Sequence, residues 1–161
     1  MSNHAPSIRP LIFSAFFAAG MAAGAYVAVP VGPVPVTLQT LFVLLAGLLG
    51  GRRIAVPATL LYLTMGAIGL PVFSGGIGGF AHFASPTGGF LLGLVPAAAI
   101  AGLCAPANRP DGKNRLLATL LTIVGAIAAT VALYAVGLPF LKVRLDLSWS
   151  RTFAVGLLPF I

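Results

Sequence analysis

The chain has 161 residues, 59% of them hydrophobic and only 7% charged, with a net charge of +7. A soluble domain carries about 25% charged residues, so this composition cannot dress a water-facing surface. The nine cations sit in short clusters between apolar runs, which argues for topology signals and against a nucleic-acid-binding face.

Charge-free runs extend from Pro10 to Gly51, from Ile54 to Asn108 and from Leu116 to Leu141. A membrane-spanning helix needs about 20 mostly apolar residues, so the sequence predicts an all-α integral membrane protein with several spans in a single domain, 1–161. The absence of alternating polar and apolar strands argues against a barrel. The start resembles a cleavable signal peptide, with Arg9 ahead of an apolar stretch and small residues after it. The further spans downstream favour its retention as the first span.

In chain order, span 1 is expected at about 10–29, ended by Pro30. The charge-free link PVGPVPV leads to span 2 at about 37–50, which stops at Gly50-Gly51-Arg52-Arg53. Span 3 is expected at about 54–69 and span 4 at about 87–105. A polar turn from Asn108 to Arg115 precedes span 5 at about 116–138. After Lys142, Arg144, Asp146 and Trp149, a sixth apolar stretch runs over about 152–161 and is read as an incomplete helix.

The cations orient these spans. With the N-terminus in the cytoplasm, Arg9, Arg52, Arg53, Arg109, Lys113 and Arg115 fall inside, while the links at 30–36 and 70–86 carry no charge. Lys142, Arg144 and Arg151 run against the rule without outvoting it. Both uncharged links then lie on the outer side. The second, within GLPVFSGGIGGFAHFASPTGG, is glycine-rich, and irregular backbone near membrane depth persists where protein or a cavity satisfies it. It is expected to pack inward as a lid or pocket wall.

Catalysis is poorly supplied. The chain has no glutamate, and Asp111 and Asp146 both fall outside the spans. The single cysteine, Cys104, lies in an apolar stretch, so neither an intrachain disulfide nor a thiolate metal site is available. Gly112-Lys113-Asn114 lacks the upstream glycine and the hydroxyl of a Walker A loop. Gly76-Ile77-Gly78-Gly79-Phe80-Ala81 matches a dinucleotide pattern without the strand before it or the acid after it. Binding or passage remains, with no enzyme activity, cofactor or metal expected.

The scarce polar groups gather at the outer ends of spans 2 and 4. Thr37, Gln39 and Thr40 open span 2, and Ser85 and Thr87 open span 4. His82 stands between Phe80 and Phe83, and the polar cluster as a whole lies beside Tyr26, Phe73, Phe80 and Phe83. Aromatic walls with a few placed donors and acceptors describe a small-molecule pocket. On span 1, Ala15, Ala19 and Ala23 form one stripe of small residues and Ser14, Ala18 and Ala22 another. Either stripe suits close helix packing within the chain or against a partner subunit.

Ala25-Tyr26, PVGPVPVTLQTLFVLLAGLLGG (30–51), YLTMGAIGLPVFSGGIGGF (62–80) and SPTGGFLLG (85–93) resemble the BioY family over about residues 8–161. These are the membrane-embedded substrate-binding (S) components of energy-coupling-factor (ECF) biotin transporters. The resemblance implies a six-transmembrane-helix bundle in the bacterial cytoplasmic membrane that captures biotin from outside. A separate transmembrane coupling protein and two cytoplasmic ATPases would supply the energy. It implies coupling-protein docking through Ala15, Ala19 and Ala23, and closure of the two outer links over the ligand.

The candidate substrate-binding residues are Tyr26, Thr37, Gln39, Phe73, His82, Ser85, Thr87 and Gly88. A neutral polar cluster can read the ureido ring of biotin, and the start of span 4 at Gly88 and Gly89 favours its carboxylate. Lys142 or Arg144 is a further candidate for that carboxylate. The sequence departs from the family pattern in two places. Ser85 precedes Pro86, where glycine or another small residue is common. After Pro159-Phe160, members continue with a Pro-Gly-Asp…Lys motif whose Asp and Lys help hold the ligand, whereas this sequence stops at Ile161. Two other readings compete, a ligand-free structural membrane subunit and a stand-alone vitamin carrier.

Overall fold

The structure is a computed structural model and describes residues 8–30, 32–105 and 115–158. It is mostly helical. The order is α1 (Arg9–Tyr26), β1 (Ala28–Val29), β2 (Val36–Thr37), α2 (Gln39–Gly50), α3 (Arg52–Ala67), α4 (Gly88–Leu103), α5 (Arg115–Leu145) and α6 (Trp149–Gly156). A 3₁₀ segment, Phe80–Ala84, lies in the link between α3 and α4. The polar turn at 108–114, the end of the sixth stretch at 159–161 and the first seven residues lie outside the described residues.

Contacts between small residues fix the helix directions. Gly24 lies against the backbone of Leu38 and Gly20 against the Phe42 ring, so α1 and α2 are antiparallel. Ser14 donates to the carbonyl of Ile54 at 3.1 Å, which sets the starts of α1 and α3 side by side and makes them parallel. Gly102 abuts the backbone of Arg52, and Gly47 abuts Ala101. Gly89 meets Phe140 while Gly93 meets Leu133, so α4 and α5 are antiparallel. Helices α1, α3 and α5 therefore run one way and α2 and α4 the other. The link from α1 to α2 and the link from α3 to α4 emerge at the same end of the bundle.

The core is built of small and aromatic side chains. Ala18, Ala46, Ala55, Ala58, Ala98 and Ala101 are fully buried between helices, around Met21, Tyr62 and Phe73. Small residues let helix backbones approach closely, so contact area comes from the backbone as much as from side chains. The buried polar side chains answer to the same constraint. Ser14, Thr59 and Thr152 each donate to a backbone carbonyl, and no buried side-chain polar atom among the described residues lacks a partner. Outward faces are apolar: Leu11, Ile12, Phe16, Leu49, Leu116 and Val131 are all exposed.

Three features differ from the sequence reading. The first link is a small antiparallel hairpin, pairing Ala28 with Thr37 and Val29 with Val36. Pro30, Pro33 and Pro35 favour extended backbone, and the β-branched residues pair across it. Helix α5 has 31 residues against an expected 23 or so, and at 1.5 Å per residue it is about 46 Å long. It outruns the expected span because Lys142 and Arg144 sit in its last turn, where cations are favourable. Asp146, at φ 48°, turns the chain out of it. Among the described residues α5 is the helix long and apolar enough to cross a membrane, with α2 and α4 shorter apolar helices. Helix α6 begins at Trp149, three residues early, because Ser148 caps it by accepting from the Arg151 N–H at 3.5 Å.

Candidate ligand-binding site

At the end of the bundle where the two links meet lies a cavity of about 240 Å³. Val34, Pro35 and Thr37 of the hairpin line one side, and Gln39 and Thr40 of α2 continue it. Ser74 and His82 come from the second link, and Thr87 with Phe90, Leu91 and Leu94 from the start of α4. Thr130, Leu133 and Tyr134 of α5 complete the wall. Apolar surfaces with a few neutral donors and acceptors, and no charged side chain among the described residues, make a site for a compact ligand recognised by shape and hydrogen bonding.

The polar groups are held rather than loose. Gln39 is buried, with its side-chain amide 3.1 Å from the Tyr62 hydroxyl. That hydroxyl is also 3.1 Å from the carbonyl of Val72 in the second link. At the start of α4 the Thr87 hydroxyl is 2.9 Å from that of Ser85 and 3.4 Å from Nε2 of His82. The His82 ring stacks on Phe73, with centroids 5.2 Å apart. Burial pushes the His82 imidazole down from its ordinary value of 6.5, so it is neutral at pH 7.

Backbone geometry supplies what the side chains do not. Helices α2 and α4 both begin at the cavity, and neither start carries a side-chain cap. The first-turn N–H groups of a helix have no partner within it, and together with the macrodipole they favour an anion. An acid could therefore be held here without a cationic side chain. The two cations suggested for that task are engaged elsewhere. Lys142 lies over the Trp149 ring at 5.4 Å and Arg144 over the Phe140 ring at 5.5 Å, and neither lines the cavity.

The structure brings Thr37, Gln39, His82 and Thr87 together on the cavity wall. Tyr26, Phe73, Ser85 and Gly88 do not line it. Tyr26 is exposed, and its hydroxyl donates to the carbonyl of Pro71, tying the end of α1 to the second link. Phe73 is fully buried between Tyr62, His82 and Phe83. Ser85 supports Thr87. Gly88 allows α4 to start against the carbonyl of Phe83, where a side chain would collide.

Sequence reasoning missed Ser74, Thr130 and Tyr134. The last two are four residues apart and so share one helix face, a signal hidden by the apolar residues around them. They also form the partition between this cavity and an outward groove of about 530 Å³ along α5 and α6, whose remaining lining is almost wholly apolar. On α1 the two small-residue stripes part company. Ser14 and Ala18 are buried against the bundle, whereas Ala15, Ala19 and Ala23 are exposed.

Fold and cavity define a helical bundle with a cavity suited to a small molecule where two links meet at one end. The family model described as the BioY family matches residues 1–161. A biotin transporter BioY of Rhizobium etli is 40% identical over 159 residues, covering 96% of this chain and 84% of that protein. A probable biotin transporter BioY of Pyrococcus horikoshii is 39% identical over 147 residues, 91% of this chain and 82% of that one. The crystal structure of the S-component for biotin from an ECF-type ABC transporter superposes with a TM-score of 0.83. That match covers 99% of this chain and 85% of the other at 24% identity, and it establishes the likeness of fold. The chain belongs to the BioY family.

Proposed function

We propose that this protein captures biotin at the outer face of the bacterial cytoplasmic membrane and delivers it for uptake as the substrate-binding component of an ECF-type transporter. The observation that carries the reading is the uncharged, polar-dotted cavity at the end of the bundle where both links meet. The relatives named as biotin transporters supply the ligand class. Biotin offers two ureido N–H donors and one carbonyl acceptor to neutral partners, for which Gln39, Thr37, His82 and Thr87 are the candidates. Its carboxylate suits the N-terminus of α2, since at α4 the N–H groups of Gly88 and Phe90 already donate to the carbonyls of Ser85 and Thr87. Tyr26, Phe73, Ser85 and Gly88 hold those groups in place.

The apolar outward faces support a single, multi-pass transmembrane domain, with its six helices in the bilayer and its N-terminus cytoplasmic. That orientation puts Arg9, Arg52 and Arg53 inside and the two uncharged links outside. Energy comes from a separate coupling protein and two ATPases, with the outward stripe Ala15, Ala19 and Ala23 as the docking face. The chain itself performs no covalent chemistry and takes biotin as cargo, with no cofactor.

The test is labelled-biotin binding to the purified protein in detergent, competed with thiamine and riboflavin. Saturable binding displaced by biotin alone is the expected result. Displacement by all three vitamins, or no binding, would overturn the reading.

A further inference from the structure

We infer that Tyr62 is a positioning residue that holds the Gln39 side-chain amide with its carbonyl oxygen toward the cavity while the second link is seated. The inference rests on proton counting. The Tyr62 hydroxyl is 3.1 Å from the Gln39 amide atom placed as Oε1 and 3.1 Å from the carbonyl oxygen of Val72, so the inferred arrangement turns that amide over. A phenol has one proton to donate, and a backbone carbonyl can only accept. If Tyr62 gave its proton to Gln39, the phenol and Val72 oxygens would face each other with lone pairs alone, at a side chain that is itself fully buried and a carbonyl that is partly so. An unpaired polar contact of that kind is costly in an apolar interior.

Both contacts are satisfied in one arrangement. Tyr62 donates to Val72, and the phenol oxygen accepts from the Gln39 amide nitrogen. The two ends of a side-chain amide are alike in shape, and the hydrogen-bond network decides which end lies where. With the NH₂ group turned to Tyr62, the Gln39 carbonyl oxygen faces the cavity, which Gln39 lines. The site then offers an acceptor to a ligand N–H.

The same counting ties the amide to the second link. Val72 adjoins Phe73, whose ring packs edge-on against Tyr62 with centroids 5.6 Å apart and stacks on His82. When this segment lifts, Tyr62 loses its acceptor and its proton becomes available to the Gln39 oxygen. The amide then turns and shows its NH₂ group to the cavity. The seated link presents an acceptor and the lifted link a donor, so a ligand rich in N–H groups stabilises the seated form. Recognition of such a ligand builds on the function proposed above, whereas the placement of the amide does not.

Gln39 is the only glutamine in the chain, so ¹⁵N labelling of glutamine side chains reports on this amide alone. In the ligand-free protein in detergent, one Nε2 proton should exchange slowly, and Tyr62→Phe should speed its exchange by about tenfold or more, as loss of one hydrogen bond would. Equal exchange in both proteins would overturn the placement. If Tyr62→Phe does not fold, the wild type decides alone. Cross-relaxation between the Nε2 protons and the Tyr62 ring supports the arrangement, and its absence overturns it.

The binding arm compares biotin with biotin methylated at both ureido nitrogens. The wild type should prefer biotin by about tenfold or more, and Tyr62→Phe should lose most of that preference. Equal weakening of both probes would reduce Tyr62 to a packing role and overturn the inference. A wild type that binds no biotin would sink the proposed function, while the ligand-free exchange experiment would still decide the amide.

Discussion

The ring of Phe73 lies directly over the α-carbon of Gly66, so closely that a methyl group there would overlap the ring. Gly66 also accepts from the N–H of Gly79 at 2.7 Å, so one residue of α3 seats both arms of the second link. Adding a methyl in a packed site costs about 1–3 kcal/mol, and removing a buried phenyl ring about 3–5 kcal/mol. Gly66→Ala and Phe73→Ala should therefore both lower the melting temperature in detergent, Phe73→Ala by more. A wild-type melting curve for Gly66→Ala would mean that the ring does not rest there.

Gln39 and Thr87 both line the cavity, at the starts of α2 and α4, and each is tied to a second polar group. Gln39→Ala removes the partner of a buried hydroxyl as well as a ligand contact. A loss of about 1–3 kcal/mol is expected, or roughly 5- to 150-fold in biotin affinity. Thr87→Ala breaks a more exposed pair of hydrogen bonds and should cost about 2- to 10-fold. Equilibrium binding of labelled biotin reads both. Unchanged affinity in the two variants would remove this cavity as the binding site.

Much of the helical architecture is legible because the chain has so few charges that its apolar runs stand out. Isolated polar residues in that apolar background mark the starts of α2 and α4, which is why Thr37, Gln39, His82 and Thr87 are visible as a group in the sequence itself. What stays hidden depends on contacts between distant segments. Nothing near Tyr62 announces that its hydroxyl meets Gln39, 23 residues away. Nothing near Tyr26 announces that it pins the link at Pro71, 45 residues away. The overrun of α5 has a local cause, since Lys142 and Arg144 mark the end of an apolar span but not of a helix.

Ala19 lies on the exposed stripe of α1 and away from the cavity, while Ala18 beside it is fully buried. Ala19→Trp should leave biotin affinity within about twofold, the usual reach of an outward substitution. In cells that carry the coupling module, the same variant should reduce biotin uptake by about thirtyfold, the effect of blocking a close-packed interface residue. Normal uptake would show that a different face docks. Loss of binding would show that the bulk is felt through the bundle.

His82 connects the site to pH. Burial holds its imidazole below the ordinary value of 6.5, so the seated link binds a proton less readily than the open one. The contribution of the neutral ring, stacked on Phe73 and close to Thr87, is then complete above pH 6.5. It falls as the pH drops through 6.5 toward the lower folded value. A carboxyl group like that of biotin, with a pKa of about 4.3, stays mostly ionised down to about pH 5.5. Biotin affinity should therefore be level from about pH 8 to pH 7 and weaken on acidification to about pH 5.5, and His82→Gln should flatten that profile. Binding that tightens in acid would instead put the ligand carboxylate beside a protonated His82 and overturn the neutral-ring assignment.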